Sequence, residues 1–352
     1  MTGRALRPER PELVERVVPF TTEDGFHLNL VNVRGAAEPA REPVVLVHGA
    51  GVRGNIFRAP VDVTIVDALV AQGYDVWIEN WRASIEFAPN SWTLDQAARY
   101  DHPAAVQTIV QETGHDRLKA VIHCQGSTSF AMAACAGLLP EVDTIVSNAV
   151  SLHTVVPAWS RLKIHYALPL VHRLIPYFDP GRGDHQDGVV PQLLTAGVRL
   201  THHECHNTAC KLVSFTYGSG FPALWRHENL NEATHDSFIA SEFGFVPLTF
   251  FAQMARCVEA GHLVSYEHLG GLPDDYVAQP PRTDARFVFL AGADNQCFLP
   301  DSQQRSYDWL TRYRHDHSLR VVPGYSHLDI FMGRSASRDV FPMILEGLER
   351  PL

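Results

Sequence analysis

Apolar and polar positions change their spacing several times along the chain, and each change marks an element. LVERVVPF and FHLNLVNVRG alternate on either side of TEDG, the pattern of a hairpin of half-buried strands. PVVLVHG does not alternate; its continuous apolar run fits a strand covered on both faces, and it ends in a glycine-rich loop at residues 49–54. Helical spacing runs from about Pro60 to Gln72, Gly73 ends it, and YDVWIEN is the next strand. WTLDQAARYDHPAAVQTIVQETGHD is helical in two pieces. Asp101 is placed to cap the second piece, and Pro103 sits in its first turn, where a missing N–H costs nothing. LKAVIHC, the small-residue helix STSFAMAACAGLL and the strand VDTIVSNAV follow.

The alternation of strand and helix predicts a mostly parallel sheet with helices on both faces. It stops at about Ser151. Residues 151–281 are rich in histidine, proline and aromatics, and then ARFVFLAG, a helix from Asp301 to about Tyr313, SLRVVPG and a helix from Ala336 to Leu348 resume the pattern. The expected organisation is therefore a core of residues 1–150 and 282–352, interrupted by an inserted helical cap at 151–281.

Composition narrows the function. The chain has 352 residues, 45% of them hydrophobic, enough for one large domain with an insertion. A formal charge of -10 repels phosphates, so no nucleic-acid partner is expected. No apolar run is long enough to cross a bilayer, and the opening MTGRALRPERPE is polar, without the apolar core of a secretory leader. That opening segment is expected to be disordered, and the expected location is the cytoplasm. The six cysteines are scattered and form no disulfide framework, although Cys205 and Cys210 are close enough to pair.

The chemistry centres on VIHCQGS, where a buried strand meets a helix. A nucleophile held on such a tight turn is exposed at the carboxyl edge of the sheet, and small residues two places before and after it relieve the crowding. Gly126 and Ser127 supply the small side after Cys124, while Ile122 stands where a glycine is expected. Ser127 and Ser129 fall inside the helix. A helix N-terminus favours a thiolate at Cys124, and the Gln125 N–H faces an oxyanion. Ala50, with Gly51 next, follows the third strand and is the expected second oxyanion donor, while His48 is expected to pack or hydrogen-bond. Asp294 and His327 each follow a late strand, in the order acid then base, and Asp301 or Asp329 could stand in for Asp294. GAGVRG has no Gly-Lys-Ser after it, so no phosphate loop and no cofactor are expected. THHECHNTAC holds His202, His203, Glu204, Cys205, His206 and Cys210, but the spacing matches no standard zinc finger and no metal is expected.

VLVHGAG, YDVWIENWRAS, VIHCQG and GYSHLDIFMG, in that order, resemble the acid lipase branch of the α/β-hydrolase superfamily, and ARYDHPAAV is similar to that branch's Tyr-Asp-x-Pro-Ala segment. The elbow, with FTYGSG, LNEATHDSF and EFGF, resembles the hydrolase-like regions found fused or adjacent to cholesterol-oxidase-type flavoproteins. The likeness runs from about Val17 to Leu348. It implies an α/β-hydrolase fold, a lid between the sixth and seventh core strands, and a Cys124–His327–Asp294 triad acting on a lipophilic acyl substrate. The expected activity is hydrolysis of an ester, lactone or thioester through an acyl-Cys124 intermediate, on a small molecule or a carrier-bound acyl group. An acyltransferase or ester-forming cyclase on the same triad, and a non-catalytic ligand-binding relative, are the alternatives.

Overall fold

The computed structural model describes residues 12–167, 177–219 and 223–352. The opening residues 1–11, and Leu168, Leu170 and Phe221 of the inserted segment, lie outside the described residues. Eight strands form one sheet in the order β1-β2-β4-β3-β5-β6-β9-β10. β1 (Val14–Thr21) and β2 (His27–Arg34) make the antiparallel hairpin, and β2 pairs antiparallel with β4 (Asp75–Asn80). Every later pairing is parallel, through β3 (Pro43–Val47), β5 (Leu118–His123), β6 (Val142–Asn148), β9 (Arg286–Gly292) and β10 (Ser318–Val322). A two-residue pair, β7 (Tyr177–Phe178) with β8 (Val246–Pro247), lies outside this sheet.

Strand periodicity sorts the core into two layers. Val45, Val47, Ala120, Ile122, Phe287 and Phe289 face one side, together with α2 (His102–Thr113), α3 (Cys124–Cys135) and later α7 (Asp301–Leu310). Val44, Leu46, Val121, Val146, Val288 and Leu290 face the other, against α1 (Ile65–Ala71) and α8 (Phe341–Glu349). Both faces are covered, which is why β3 and β9 read as nearly continuous apolar runs. The fold is thus an α/β-hydrolase fold with a mostly parallel sheet. Local signals set the helix ends: Thr64 and Asp67 form a reciprocal capping box at α1, and Gly114, at φ +72, ends α2. Between β6 and β9 run α4 (Val189–Thr201), α5 (Thr208–Tyr217), α6 (Leu248–Ala260) and several shorter turns. Among the described residues no helix is long and apolar enough to cross a membrane.

Asp101 does not cap its helix. It has helical backbone angles because a π-turn, Ala97–Asp101, runs straight into α2, and its carboxylate is buried against Arg82, with Nη2 at 2.6 Å and Nε at 2.9 Å. Arg82 also reaches Asp24 at 3.0 Å. Asp101→Ala leaves a buried guanidinium with one half-exposed partner, so it is expected to cost about 3–5 kcal/mol, read as a lower urea midpoint with an unchanged slope.

Beside this pair, His102 bridges buried Glu79, at 2.9 Å from Nδ1, and Ser129 Oγ, at 2.8 Å from Nε2. Ser129 Oγ in turn donates to the Gln125 carbonyl at 2.9 Å. This Glu-His-Ser chain has the residue types of a hydrolytic relay, but all three side chains are fully buried, and its visible effect is to brace the start of α3.

Candidate active site

The turn from β5 to α3 forces Cys124 to φ +54, a left-handed value that costs a non-glycine residue ~1–3 kcal/mol. His123 before it is still extended, so the chain reverses within one residue. Two glycines allow the close approach. A Cβ on Gly126 would stand 2.2 Å from the His48 carbonyl oxygen, and one on Gly49 would stand 2.9 Å from Cys124 Cβ and 3.3 Å from its sulfur. Gly126 therefore sets how near α3 comes to the sheet, and Ile122 at the other small-residue position is simply buried in the first core layer.

His327 meets Cys124 here. One ring nitrogen each of His123 and His327 and the Cys124 sulfur lie within 4.8 Å of one another. Burial raises the Cys124 pKa, but a hydrogen bond from Cys297, the charge and hydrogen bond of His327 and the Gln125 N–H outweigh it, leaving the thiol well below its ordinary value. His123 is kept neutral, first by burial and then by His327; its Nδ1–H donates to Asn148 Oδ1 at 2.7 Å. Cys297→Ala removes a donor to the thiolate, so the Cys124 pKa is expected to rise. The midpoint of its alkylation by iodoacetamide should then move to higher pH.

The partner of His327 is Asn295. Asn295 Oδ1 accepts from the N–H of Cys297 at 2.9 Å and of Phe298 at 3.1 Å, which turns Nδ2 to donate to His327 Nδ1 at 3.1 Å. Asp294, expected in this role, points the other way: its side chain is 43% exposed and pairs with Arg226 Nη1 at 2.6 Å. The Asp294 N–H is tied to the Tyr325 carbonyl and that of Asn295 to the Gly292 carbonyl, a turn that sends the two side chains to opposite sides. Asp301 opens α7 without capping it by a side-chain bond. Asp329 accepts from the Ser326 N–H at 2.7 Å and Asn229 Nδ2 at 2.7 Å, and burial pushes its pKa up to about 6.

At the oxyanion position, Ala50 shares a small cavity with Cys124 and His327, while the N–H of Gly51 is committed to the Ala83 carbonyl at 3.2 Å. His48 is buried, which lowers its pKa to about 4; it donates from Nδ1 to the Gly49 carbonyl at 2.7 Å. The Tyr217 hydroxyl is buried against Gly51 and has no hydrogen-bond partner among the described residues.

Cys124, Gln125 and Cys297 lie at one end of a larger cavity of about 170 Å³, far more than the ~10–15 Å³ one water needs. Its walls are apolar: Phe178, Leu194, Phe215, Phe250, Phe251 and Met254. Lys163 also lines it, and burial lowers that ammonium to about 8. Of the other aromatics of the inserted segment, Trp159 and Tyr166 are exposed, and Trp225 and Phe243 fill the second core layer. Asn295, Cys297 and the unpartnered Tyr217 hydroxyl escape a reading by motif, since only the folded loops bring them to the sulfur. Two groups among the described residues gather metal-type donors: His123, Cys124 and His327, and the separate set Cys205, Cys210, His227 and His235.

Comparison with known proteins agrees with the fold. Lipase member K of Homo sapiens is 23% identical over 94% of this chain and 87% of its own length. Gastric triacylglycerol lipase of Rattus norvegicus is 33% identical over 125 residues, 30% of this chain and 31% of its own. Among solved structures, a soluble variant of monoglyceride lipase from Saccharomyces cerevisiae, in complex with a substrate analog, matches with TM-score 0.60 at 14% identity over 98% of each chain. DcsB, in complex with its substrate analogue, matches with TM-score 0.60 at 14% identity over 96% of this chain and 99% of its own. Residues 42–333 match the alpha/beta hydrolase fold family, and the chain belongs to that family.

Proposed function

We propose that this protein is a cysteine-nucleophile acyl hydrolase, of the lipase and esterase type, acting on lipophilic esters, lactones or thioesters. The observation that carries the reading is Cys124, strained on its turn, with a depressed pKa, a histidine beside it and an apolar cavity in front. The Cys124 thiolate attacks the substrate carbonyl and forms a carbon–sulfur bond. The N–H groups of Ala50 and Gln125 hold the resulting oxyanion, which collapses by breaking the bond to the substrate's alkoxide or thiolate, and that group leaves as the anion. Water, giving its proton to the departed anion, then attacks the acyl-thioester and releases the acid and the thiolate. Residues 151–281 act as the cap that supplies the acyl-binding wall. A working thiol of this kind belongs in a reducing compartment, in keeping with six unpaired cysteines and a cytoplasmic location.

In this reading the orienting residue is Asn295 in place of Asp294, and that favours particular substrates. The Asn295 amide donates to His327 Nδ1, so the neutral ring carries its proton on Nε2 and has no free nitrogen there to take another. Leaving groups that depart as anions need no proton from it. Thioesters and aryl esters should therefore turn over better than alkyl esters, and a thiol acceptor can return the acyl group as readily as water.

Intact mass spectrometry with a medium-chain acyl thioester tests the assignment. The wild-type chain should gain one acyl mass, with the adduct on the peptide bearing Cys124, and Cys124→Ala should gain none. An adduct of equal yield in Cys124→Ala would overturn it.

A further inference from the structure

A second group of reactive side chains stands apart from the catalytic sulfur. Cys205 lies in the loop before α5, and Cys210 lies in the first turn of α5, where Asn207 Oδ1 caps the Cys210 N–H at 3.1 Å. His227 begins the short turn His227–Asn229, and His235 sits in the π-turn Ala233–Phe238. Four donor atoms, the two sulfurs and one nitrogen from each ring, lie within 4.8 Å of one another.

Cys210 Sγ is 3.4 Å from His227 Nε2. Zinc bonds of about 2.3 Å to sulfur and 2.0–2.1 Å to nitrogen, set tetrahedrally, separate such a pair by about 3.5 Å. The His235 ring is oriented as a ligand would be: Nδ1 is hydrogen-bonded to Asp236, which leaves the buried Nε2 turned toward the Cys205 sulfur. A carboxylate on the far nitrogen is the usual support of a metal-bound imidazole. We propose that Cys205, Cys210, His227 and His235 form a tetrahedral site for a divalent transition ion, with zinc the best match to two thiolates and two imidazoles.

An ion held by two thiolates and two neutral imidazoles displaces the thiol protons and leaves a neutral Cys₂His₂ complex.

The site joins three stretches of the cap, and one of them holds the base. Leu224, three residues before His227, accepts at its carbonyl from the N–H of His327 at 3.2 Å and of Leu328 at 2.8 Å. The helix that carries Cys210 ends at Tyr217, beside Cys124. The ion is thus a structural clamp on the segment that anchors His327, remote from the reacting atoms.

The test is metal analysis of the untagged full chain, purified without chelator and desalted into metal-free buffer. One zinc per chain is expected. Cobalt substitution should give the visible bands and thiolate charge-transfer absorption of a tetrahedral site. Cys124→Ala should keep both signatures, which separates this site from the catalytic cluster, and a Cys205→Ser/His235→Ala double variant should fall below a tenth of an equivalent. Zinc content and the cobalt spectrum of the wild-type chain decide the matter even if that double variant does not fold. Three results overturn the proposal: no zinc bound even after incubation with zinc chloride; zinc that is lost in Cys124→Ala; or a mass two protons low with Cys205 and Cys210 joined in a disulfide.

Discussion

Cys124→Ala is expected to lower turnover of an aryl acyl ester by about 10⁴–10⁶, because in relays of this kind removing the nucleophile costs nearly as much as removing the whole set. The residue left behind still folds: alanine fits the small space against Gly49, and the only strain is the φ that cysteine already bears. What remains should be the modest rate that Ala50, Gln125 and binding alone supply. Cys124→Ser is also expected to be severely impaired. A hydroxyl does not ionise near neutral pH and depends wholly on a base, whereas the thiol is brought within reach of ionisation by Cys297, His327 and the helix start. A serine variant working at the wild-type rate would show that the depressed thiol has no part in the reaction.

Asn295→Asp is expected to do the opposite and raise turnover by roughly 10²–10⁴, with the larger gain on alkyl esters. The scale comes from serine-protease relays, where exchanging the orienting carboxylate for an amide fixes the wrong tautomer and costs about 10⁴. Here the amide is the native state. An aspartate is the same size, one of its oxygens can keep the Cys297 and Phe298 N–H bonds, and the other would accept from His327 Nδ1–H. That places Nε2 in the form that takes a proton from water and gives one to an alkoxide. The measurement is kcat on paired alkyl and thiol esters of one acyl chain across pH. A rise confined to the alkyl ester, or much larger there, is the signature. A uniform loss on both would show that Asn295 only packs the loop.

The framework of the molecule could be read from spacing because spacing is what builds it. Continuous apolar runs became the central strands, the alternating pair became the edge hairpin, and the place where alternation stopped is where the chain leaves the sheet. Cys124 and His327 were legible for a related reason: each follows a parallel strand at the same edge of the sheet, and Gly126 marks the close approach. The choice between Asp294 and Asn295 was not, since it turns on which way two adjacent side chains leave a loop, and two backbone hydrogen bonds decide that. Asp101 misled because a cap and a buried counter-ion call for the same residue type, and its partner Arg82 is reached only through the fold. The four donors Cys205, Cys210, His227 and His235 share no periodic relation, and only the meeting of three cap stretches assembles them.

The Leu224 carbonyl, bonded to two successive amides of the histidine loop, also limits how the apolar cavity can be loaded. Swinging residues 223–228 outward would drag the imidazole away from sulfur, and the Gly244 N–H bond to the Gly51 carbonyl ties the neighbouring stretch to the oxyanion loop in the same way. A doorway that leaves those bonds in place can open on the side lined by Ser160, Ile164 and Leu194, and beside them Trp159, Leu162, Tyr166 and Leu193 face solvent. Substrate would then arrive carbonyl-first along a greasy threshold, with its apolar tail the last part to pass.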